Sequence, residues 1–430
     1  MYKIKDLIAK LESGAFDSRF KSLYNADDMQ VQGQRLRYAN AVRRFDEIYG
    51  EEQSVSIYSA PGRTEIGGNH TDHNNGVVMA AAVNLDIIAV VSKINSNYIK
   101  VKSHGFDDTD VVNIENLAPV KKEQGHSAAL IRGVAAGIKN ENGTIGGLNV
   151  YTTSDVLRGS GLSSSAAFEV VIGAIINGEY NDFKFTPVKI AQISQYAENV
   201  FFGKPSGLMD QTASSVGRAI TIDFKNPNSP IVNGVDFNLT KHGFSLCITD
   251  TKGSHADLTD DYAAIRAEME SVAAFFGKSV LREVDENEFF DKISEIRKTC
   301  SDRAILRAIH FFADCKRAAA LCNAVKEDRF NDFLSLIIDG GHSSFEYNQN
   351  AYSIKNPSEQ GVALGCAISQ RILNGKGAWR LQGGGFAGTI QAFVPNELVK
   401  EYRSALDNVF GKDACYVLSV RNYGAIRVEE

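Results

Sequence analysis

The run Gly159-Ser160-Gly161-Leu162-Ser163-Ser164-Ser165-Ala166-Ala167 passes without a break into Phe168, Glu169, Val170, Val171 and Ile172. Glycines and serines make a flexible loop, and the residues after it form helix readily. The junction therefore ties a loop to a helix N-terminus, where the first backbone N–H groups lack partners and the helix dipole is positive. An anion, most often a phosphate, suits such a place. The serine hydroxyls add donors or a magnesium ligand. A plain connecting loop has the same composition, so the run alone leaves both readings open.

At 430 residues the chain has room for two domains. A net charge of −6 argues against a nucleic-acid or anionic-membrane surface, and any bound phosphate must rely on local donors. Cys247, Cys300, Cys315, Cys322, Cys366 and Cys415 are widely spaced and match neither a disulfide framework nor a zinc site. Cys315 and Cys322 are expected on one buried face of a helix over 309–325. Ile4, Leu7, Ile8 and Leu11 share a helical face between charged residues, unlike a signal peptide. The apolar stretch Val77 to Val91 is interrupted by Asn84 and Asp86, too short and too polar to span a bilayer. The expectation is a cytoplasmic monomer with no membrane or nucleic-acid partner.

Strands are expected at 55–58, 87–91, 98–101 and 148–152, with a helix over 127–138. Thr186-Pro187 is a helix start, a capping hydroxyl followed by proline at the first helical position. The polar stretch Lys225-Asn226-Pro227-Asn228-Ser229-Pro230 is the best candidate for a domain boundary. Beyond it come a strand at 244–249, a helix striped with Ile265, Met269, Val272 and Phe276, further helices to about 350 and over 361–373, and strands at 389–394 and 415–420. The mixture predicts an α+β protein with domains 1–228 and 229–430.

Three more segments carry chemistry. Pro61-Gly62-Arg63-Thr64-Glu65-Ile66-Gly67-Gly68-Asn69-His70-Thr71-Asp72-His73-Asn74-Asn75-Gly76 holds side chains that pair with vicinal hydroxyls, and an arginine suited to a moving phosphoryl group. It also reads as an Asx-rich turn, and His70, Asp72 and His73 as a metal set. In Ser206-Gly207-Leu208-Met209-Asp210-Gln211 the acid sits among apolar neighbours, as a base would, or as a helix cap would. Gln382-Gly383-Gly384-Gly385-Phe386-Ala387-Gly388 is a glycine turn before an apolar strand.

In order, spacing and wording these segments resemble the galactokinase branch of the GHMP small-molecule kinases. Asp250-Thr251 with His255, Tyr262 and Arg266, and Ala197-Glu198 twelve residues before Asp210, fit the same branch. The resemblance spans about residues 35 to 394. It implies a two-domain GHMP fold with the active site in the interdomain cleft, and ATP-dependent phosphorylation of a sugar at its C1 hydroxyl. By the same resemblance, Asp210 would take or polarise the hydroxyl proton, and Arg63 would stabilise the phosphoryl group. Gly159, Ser160, Gly161, Leu162, Ser163, Ser164 and Ser165 would hold the ATP phosphates. Ser165 and Glu198 would bind Mg2+. Asn69, His70, Asp72 and Tyr262 would hold the sugar. The chain departs from the family at Asn69, where glutamate is usual, and at His73, where tyrosine is usual. The lost charge at Asn69 opens a galactose derivative such as galacturonate as a second candidate substrate. The intact Arg63, Asp210 and Gly159 to Ala167 run speaks against a non-catalytic sugar and ATP sensor. Asn69 to Asp72 and Asp250 to Arg266 speak against a GHMP kinase for a mevalonate-type or amino-acid substrate.

Overall fold

The computed structural model describes residues 1–50, 53–156, 161–253 and 258–429. Among these, one sheet contains β1 (Tyr2–Lys3), β2 (Ser54–Gly67), β3 (Val77–Ile94), β4 (Tyr98–Ser103), β5 (Thr109–Asn113), β6 (Gly147–Ser154), β7 (Ala219–Asp223), β8 (Ile231–Val235) and, far along the chain, β13 (Ile426–Arg427). A second, antiparallel sheet runs β10-β11-β9-β12, from β9 (Phe244–Asp250), β10 (Ala378–Leu381), β11 (Thr389–Pro395) and β12 (Cys415–Leu418). Helices α1 (Ile4–Glu12), α2 (Asp17–Tyr24), α3 (Asp28–Tyr49), α4 (Ser127–Asn140), α5 (Ser164–Asn181), α6 (Pro187–Tyr196) and α7 (Met209–Val216) accompany the first sheet. The remainder are α8 (Thr259–Phe275), α9 (Glu286–Asp291), α10 (Ile293–Ile296), α11 (Asp302–Lys326), α12 (Phe330–Ser343), α13 (Gly361–Leu373) and α14 (Val399–Phe410). The protein is α+β, as expected.

The β2–β3 hairpin is buried on both faces because its alternating residues meet two layers. Val55, Ile57, Ile88 and Val90 pack with the apolar stripes of α1, α2 and α3. Tyr58, Ala60, Ala89 and Val91 pack on the other side with Val134 of α4 and Val171 of α5. A strand covered on both faces reads as a continuous apolar run, not an alternating one. The first half of the segment from Pro61 to Gly76 is therefore strand, not turn. Its register against β3 shifts between Pro61 and Arg63 and again between Glu65 and Gly67. Such irregularities re-aim side chains.

Thr186 caps α6 by accepting from Lys189 N. Residues 225–230 connect β7 to β8, antiparallel neighbours in the first sheet. The six cysteines are free thiols. Cys322 of α11 is buried, and the thiol of Cys315 accepts from Val77 N at 3.4 Å. No helix among the described residues is long and apolar enough to cross a membrane.

The end of the chain returns to its beginning. β1 pairs with β2 at Ser54 and Val55, and β13 pairs with it at Tyr58 and Ser59, both away from β3. Between them, Val428 N donates to Ile57 O at 2.8 Å. Nearby, fully buried Asp86 accepts from Arg37 at 2.7 Å, Arg421 at 2.8 Å and Tyr24 at 2.6 Å. One carboxylate thus joins α2, α3, β3 and the C-terminal segment.

Candidate active site

Three distant motifs converge on one carboxylate. Arg63, on the irregular part of β2, grips Asp210 with two prongs, Nε to Oδ1 at 2.7 Å and Nη2 to Oδ2 at 2.8 Å. The guanidinium also donates to Gly161 O, and Arg63 N donates to Leu162 O at 3.0 Å. Ser163, the residue before α5, donates its hydroxyl to Asp210 Oδ2. Ser163 holds a left-handed backbone with φ of 59°, a conformation that is costly for a residue with a Cβ and that persists only where its surroundings hold it. Burial would raise the Asp210 carboxyl, but the Arg63 guanidinium and the Ser163 hydroxyl hold it below the usual carboxylate range. Asp210 is thus an anion at neutral pH with about a third of its side chain open to solvent.

The loop after β2 grips the glycine turn one carbonyl at a time. Asn69 Nδ2 donates to Gly383 O at 2.7 Å, and His70 Nε2 lies 2.9 Å from Gly384 O. Asn350 Nδ2 also donates to Gly384 O, at 3.1 Å, and Tyr262 Oη, from α8, donates to Gly385 O at 3.0 Å. A carbonyl only accepts, so His70 carries its proton on Nε2. Burial holds its imidazole down to about 3, leaving it neutral. The turn is glycine by necessity, since a Cβ on Gly384 would lie 2.4 Å from the Tyr262 ring.

Asn69 is fully buried, with every polar group engaged by protein. Beyond Gly383, its Nδ2 donates to Glu65 Oε1 at 3.0 Å, and its Oδ1 accepts from Asn350 at 2.9 Å. Its backbone N donates to Asp314 Oδ2 at 2.6 Å, and its O meets His310 Nε2 at 2.8 Å. Glu65 in turn pairs with buried Arg380 at 2.8 Å. Burial pushes the Glu65 carboxyl up to about 7 against the pull of Arg380 and Arg63. The charge absent at Asn69 therefore lies next to it, and an acid at both positions would set two buried carboxylates in contact.

Asp72 sits on the short helical turn Asp72–Asn74 and accepts from His73 N at 3.0 Å. A Cβ on Gly207 would fall 1.8 Å from Asp72 Oδ2, so only glycine lets these two segments meet. Ser164 and Ser165 open α5. Ser165 Oγ lies 3.2 Å from Glu198 Oε1, and Glu198 stands in a π-helical turn, Ala197–Phe202, that extends α6. Gln211 Nε2 joins Glu198 Oε2 at 2.8 Å to Glu169 Oε2 at 3.2 Å. Glu169 Oε1 and Gln211 Oε1 are buried without a partner among the described residues. A hydroxyl, a carboxylate and orphaned oxygens are the donors that a hard divalent cation takes. Among the described residues, no three His, Cys, Asp or Glu side chains are grouped to hold a metal by themselves.

Arg63, Asp210 and Gly161 to Ser163 thus meet at one point, Ser165 meets Glu198, and Asn69, His70 and Tyr262 meet at the glycine turn. Gly159, Ser160 and His255 lie outside the described residues. Arg266 pairs with Glu270 on an exposed face of α8. Glu65, Asn350, Arg380, Gly207 and Gln211 are the residues that sequence reading left without a role. Glu65, Gly207 and Gln211 sat inside motifs already singled out, whereas nothing local marks Asn350 or Arg380.

Comparison with known proteins agrees with this geometry. Residues 129–218 match the N-terminal domain of the GHMP kinases, and residues 43–93 match the galactokinase galactose-binding signature. The fold aligns with Lactococcus lactis galactokinase complexed with galactose at a TM-score of 0.79, 20% identity, 91% of this chain and 100% of the other. A mevalonate kinase aligns at 0.59 over 85% of this chain and 99% of its own, at 15% identity. The fold is thus that of the GHMP kinases, which use ATP. The galactokinase of Actinobacillus pleuropneumoniae is 30% identical over 380 residues, 86% of this chain and 93% of its own. That of Streptomyces coelicolor is 28% identical over 372 residues, 85% and 91% respectively. The chain belongs to the galactokinase family and is a sugar kinase.

Proposed function

We propose that the chain transfers the γ-phosphoryl group of ATP to the C1 hydroxyl of galactose, giving galactose 1-phosphate and ADP. One observation carries this reading: the Asp210 carboxylate is held at once by the arginine of the galactose-binding signature and by a serine of the phosphate loop. Sugar and phosphate ligands thereby share one reacting point. In this reading the point faces a cleft between the portions 1–228 and 229–430, with Tyr262 and the glycine turn as the second portion's share of the sugar side.

In this reading the C1 hydroxyl donates its hydrogen bond to Asp210 in place of Ser163 Oγ. A carboxylate held below its usual range by Arg63 is a weak base. Asp210 therefore orients the hydroxyl first and takes its proton late, when the new O–P bond is largely formed and the bond to ADP is largely broken. Arg63 faces the phosphoryl oxygens as their charge is redistributed. The N–H groups of Ser164, Ser165 and Ala166 at the start of α5 bind the ATP phosphates. Ser165 and Glu198 would hold Mg2+, which supplies charge neutralisation across the phosphates when bound. Asp72, His70 and Tyr262 line the sugar pocket, and Asn69 acts on the sugar from behind, through the glycine turn.

Galactose is favoured over galacturonate because Asn69 is buried and its amide is fully engaged by protein, so it does not itself meet a group at C6 of the sugar. The test is ADP release from purified protein on galactose, galacturonate, N-acetylgalactosamine, glucose and arabinose, with Asp210→Asn as control. Galactose turnover that collapses in the control is expected. Turnover on another panel sugar alone would replace the substrate, and no turnover on any would bring the sensor reading forward.

A further inference from the structure

The Ser165–Glu198 pair already holds a cation, and that cation belongs to the protein. Lys204 Nζ lies 2.8 Å from Glu198 Oε1, the oxygen that also takes the Ser165 hydroxyl. The carboxylate is buried, with 3% of its side chain exposed, whereas the lysine side chain is 59% exposed. The anion is therefore fixed and the cation has room to leave. The backbone builds this approach: Gly203 N and Lys204 N both donate to Glu198 O, at 3.0 and 3.2 Å, folding the chain back over the carboxylate. Buried Glu169 lies behind it, bridged by Gln211, with Oε1 lacking any partner among the described residues.

We propose that Lys204 is a resident counter-ion of the nucleotide–metal site, occupying Glu198 Oε1 until a divalent cation arrives with the nucleotide and displaces it. This rests on the reading that Ser165 and Glu198 receive the metal. The Glu198 carboxylate, with the Asp210 carboxylate near it, would otherwise attract free divalent cations. A tethered ammonium neutralises them without closing the site, because the metal–nucleotide complex brings phosphate oxygens as additional ligands and free metal does not. Lys204 is a positioning residue in this scheme: it holds the Glu198 carboxylate where the cation will be needed, and excludes the cation that comes alone.

The test uses Mn2+ as probe, followed by water-proton relaxation or electron paramagnetic resonance on the full chain. Without nucleotide, Lys204→Met should bind Mn2+ about tenfold more tightly than wild type, and Lys204→Arg should stay within about twofold of it. Excess free Mg2+ should inhibit Lys204→Met at concentrations that leave wild type unaffected. Unchanged or weaker Mn2+ binding by a folded Lys204→Met, as judged by its melting curve, overturns the proposal. The underlying reading is tested separately: with a non-hydrolysable ATP analogue, wild type should hold one Mn2+ that Glu198→Gln and Ser165→Ala weaken. If that ion is not there, the metal assignment falls, and the proposal falls with it.

Discussion

The contact between Gly207 and Asp72 allows a substitution whose effect can be worked out before it is made. Gly207→Ala adds one methyl group, at a position whose φ lies outside the left-handed range, so the backbone itself accepts alanine. That methyl would be born 1.8 Å from Asp72 Oδ2, where real Cβ contacts begin at about 3.0 Å. The carboxylate must withdraw by about 1.2 Å, which breaks any hydrogen bond it makes to a sugar hydroxyl. A hydrogen bond to a charged group is worth about 1.5–3 kcal/mol, so kcat/KM for the sugar should fall about 10- to 150-fold. Among the described residues no hydrogen bond joins Asp72 to α5, so KM for ATP should stay within about twofold. Steady-state kinetics with each substrate varied in turn measure both, and urea unfolding should show a change of no more than about 1 kcal/mol. A sugar KM unchanged in a folded variant would refute the role of Asp72. An equal rise in both KM values would show that the methyl had moved Asp210, three residues on, instead.

Four further expectations concern single groups. Asp210→Asn should lower kcat by about 10²- to 10⁴-fold while calorimetry still shows sugar binding, because the amide can hold the hydroxyl but cannot take its proton. His70 is held down to about 3 in the fold against about 6.5 in the unfolded chain, so the stability it contributes is complete above pH 6.5 and lost as pH falls toward 3; His70→Gln should flatten that part of a stability–pH curve measured by denaturant. Asn69→Asp would turn a donor into an acceptor facing Glu65 and Gly383 O, and should cost about 1–3 kcal/mol, more at pH 8 than at pH 5, since burial resists ionisation there. Asp86→Asn should cost about 3–5 kcal/mol in urea unfolding because it leaves the buried Arg421 guanidinium without its anion.

The centre of the candidate site is legible because phosphate and sugar chemistry demand particular residue types at close spacing. Gly161 to Ser163, Arg63 and Asp210 could be named from the chain alone, and the fold brings them together. What supports them was harder to read. Asn350 and Arg380 reach the site from positions about 280 and 315 residues after Asn69 and Glu65, and no local pattern announces such pairings. Asn69 was singled out as a lost charge, and the nearness of Glu65 became visible only once the irregular register of β2 was known. The segment from Pro61 to Gly76 reads by composition as an Asx-rich turn, yet β2 runs through its first half to Gly67, because pairing with β3 and cover on both faces outweigh local preference. Lys204 showed no signal at all: its meaning depends on a backbone reversal that only the π-helical turn produces.

The shared edge of β2 has a consequence for how the chain is made. Ser54 to Gly67 leave the ribosome early, yet the strand beside Tyr58 and Ser59 is drawn from Ile426 and Arg427. Arg421, one of the cations of Asp86, likewise follows its partner only after a long stretch of chain. Until residues 421–427 have been made, the nascent first sheet has an open edge and a buried acid short of one counter-charge. Open edges invite pairing with other chains. A chain halted before residue 421 would keep that edge open and that acid short of a cation, and residues 421–427 close both.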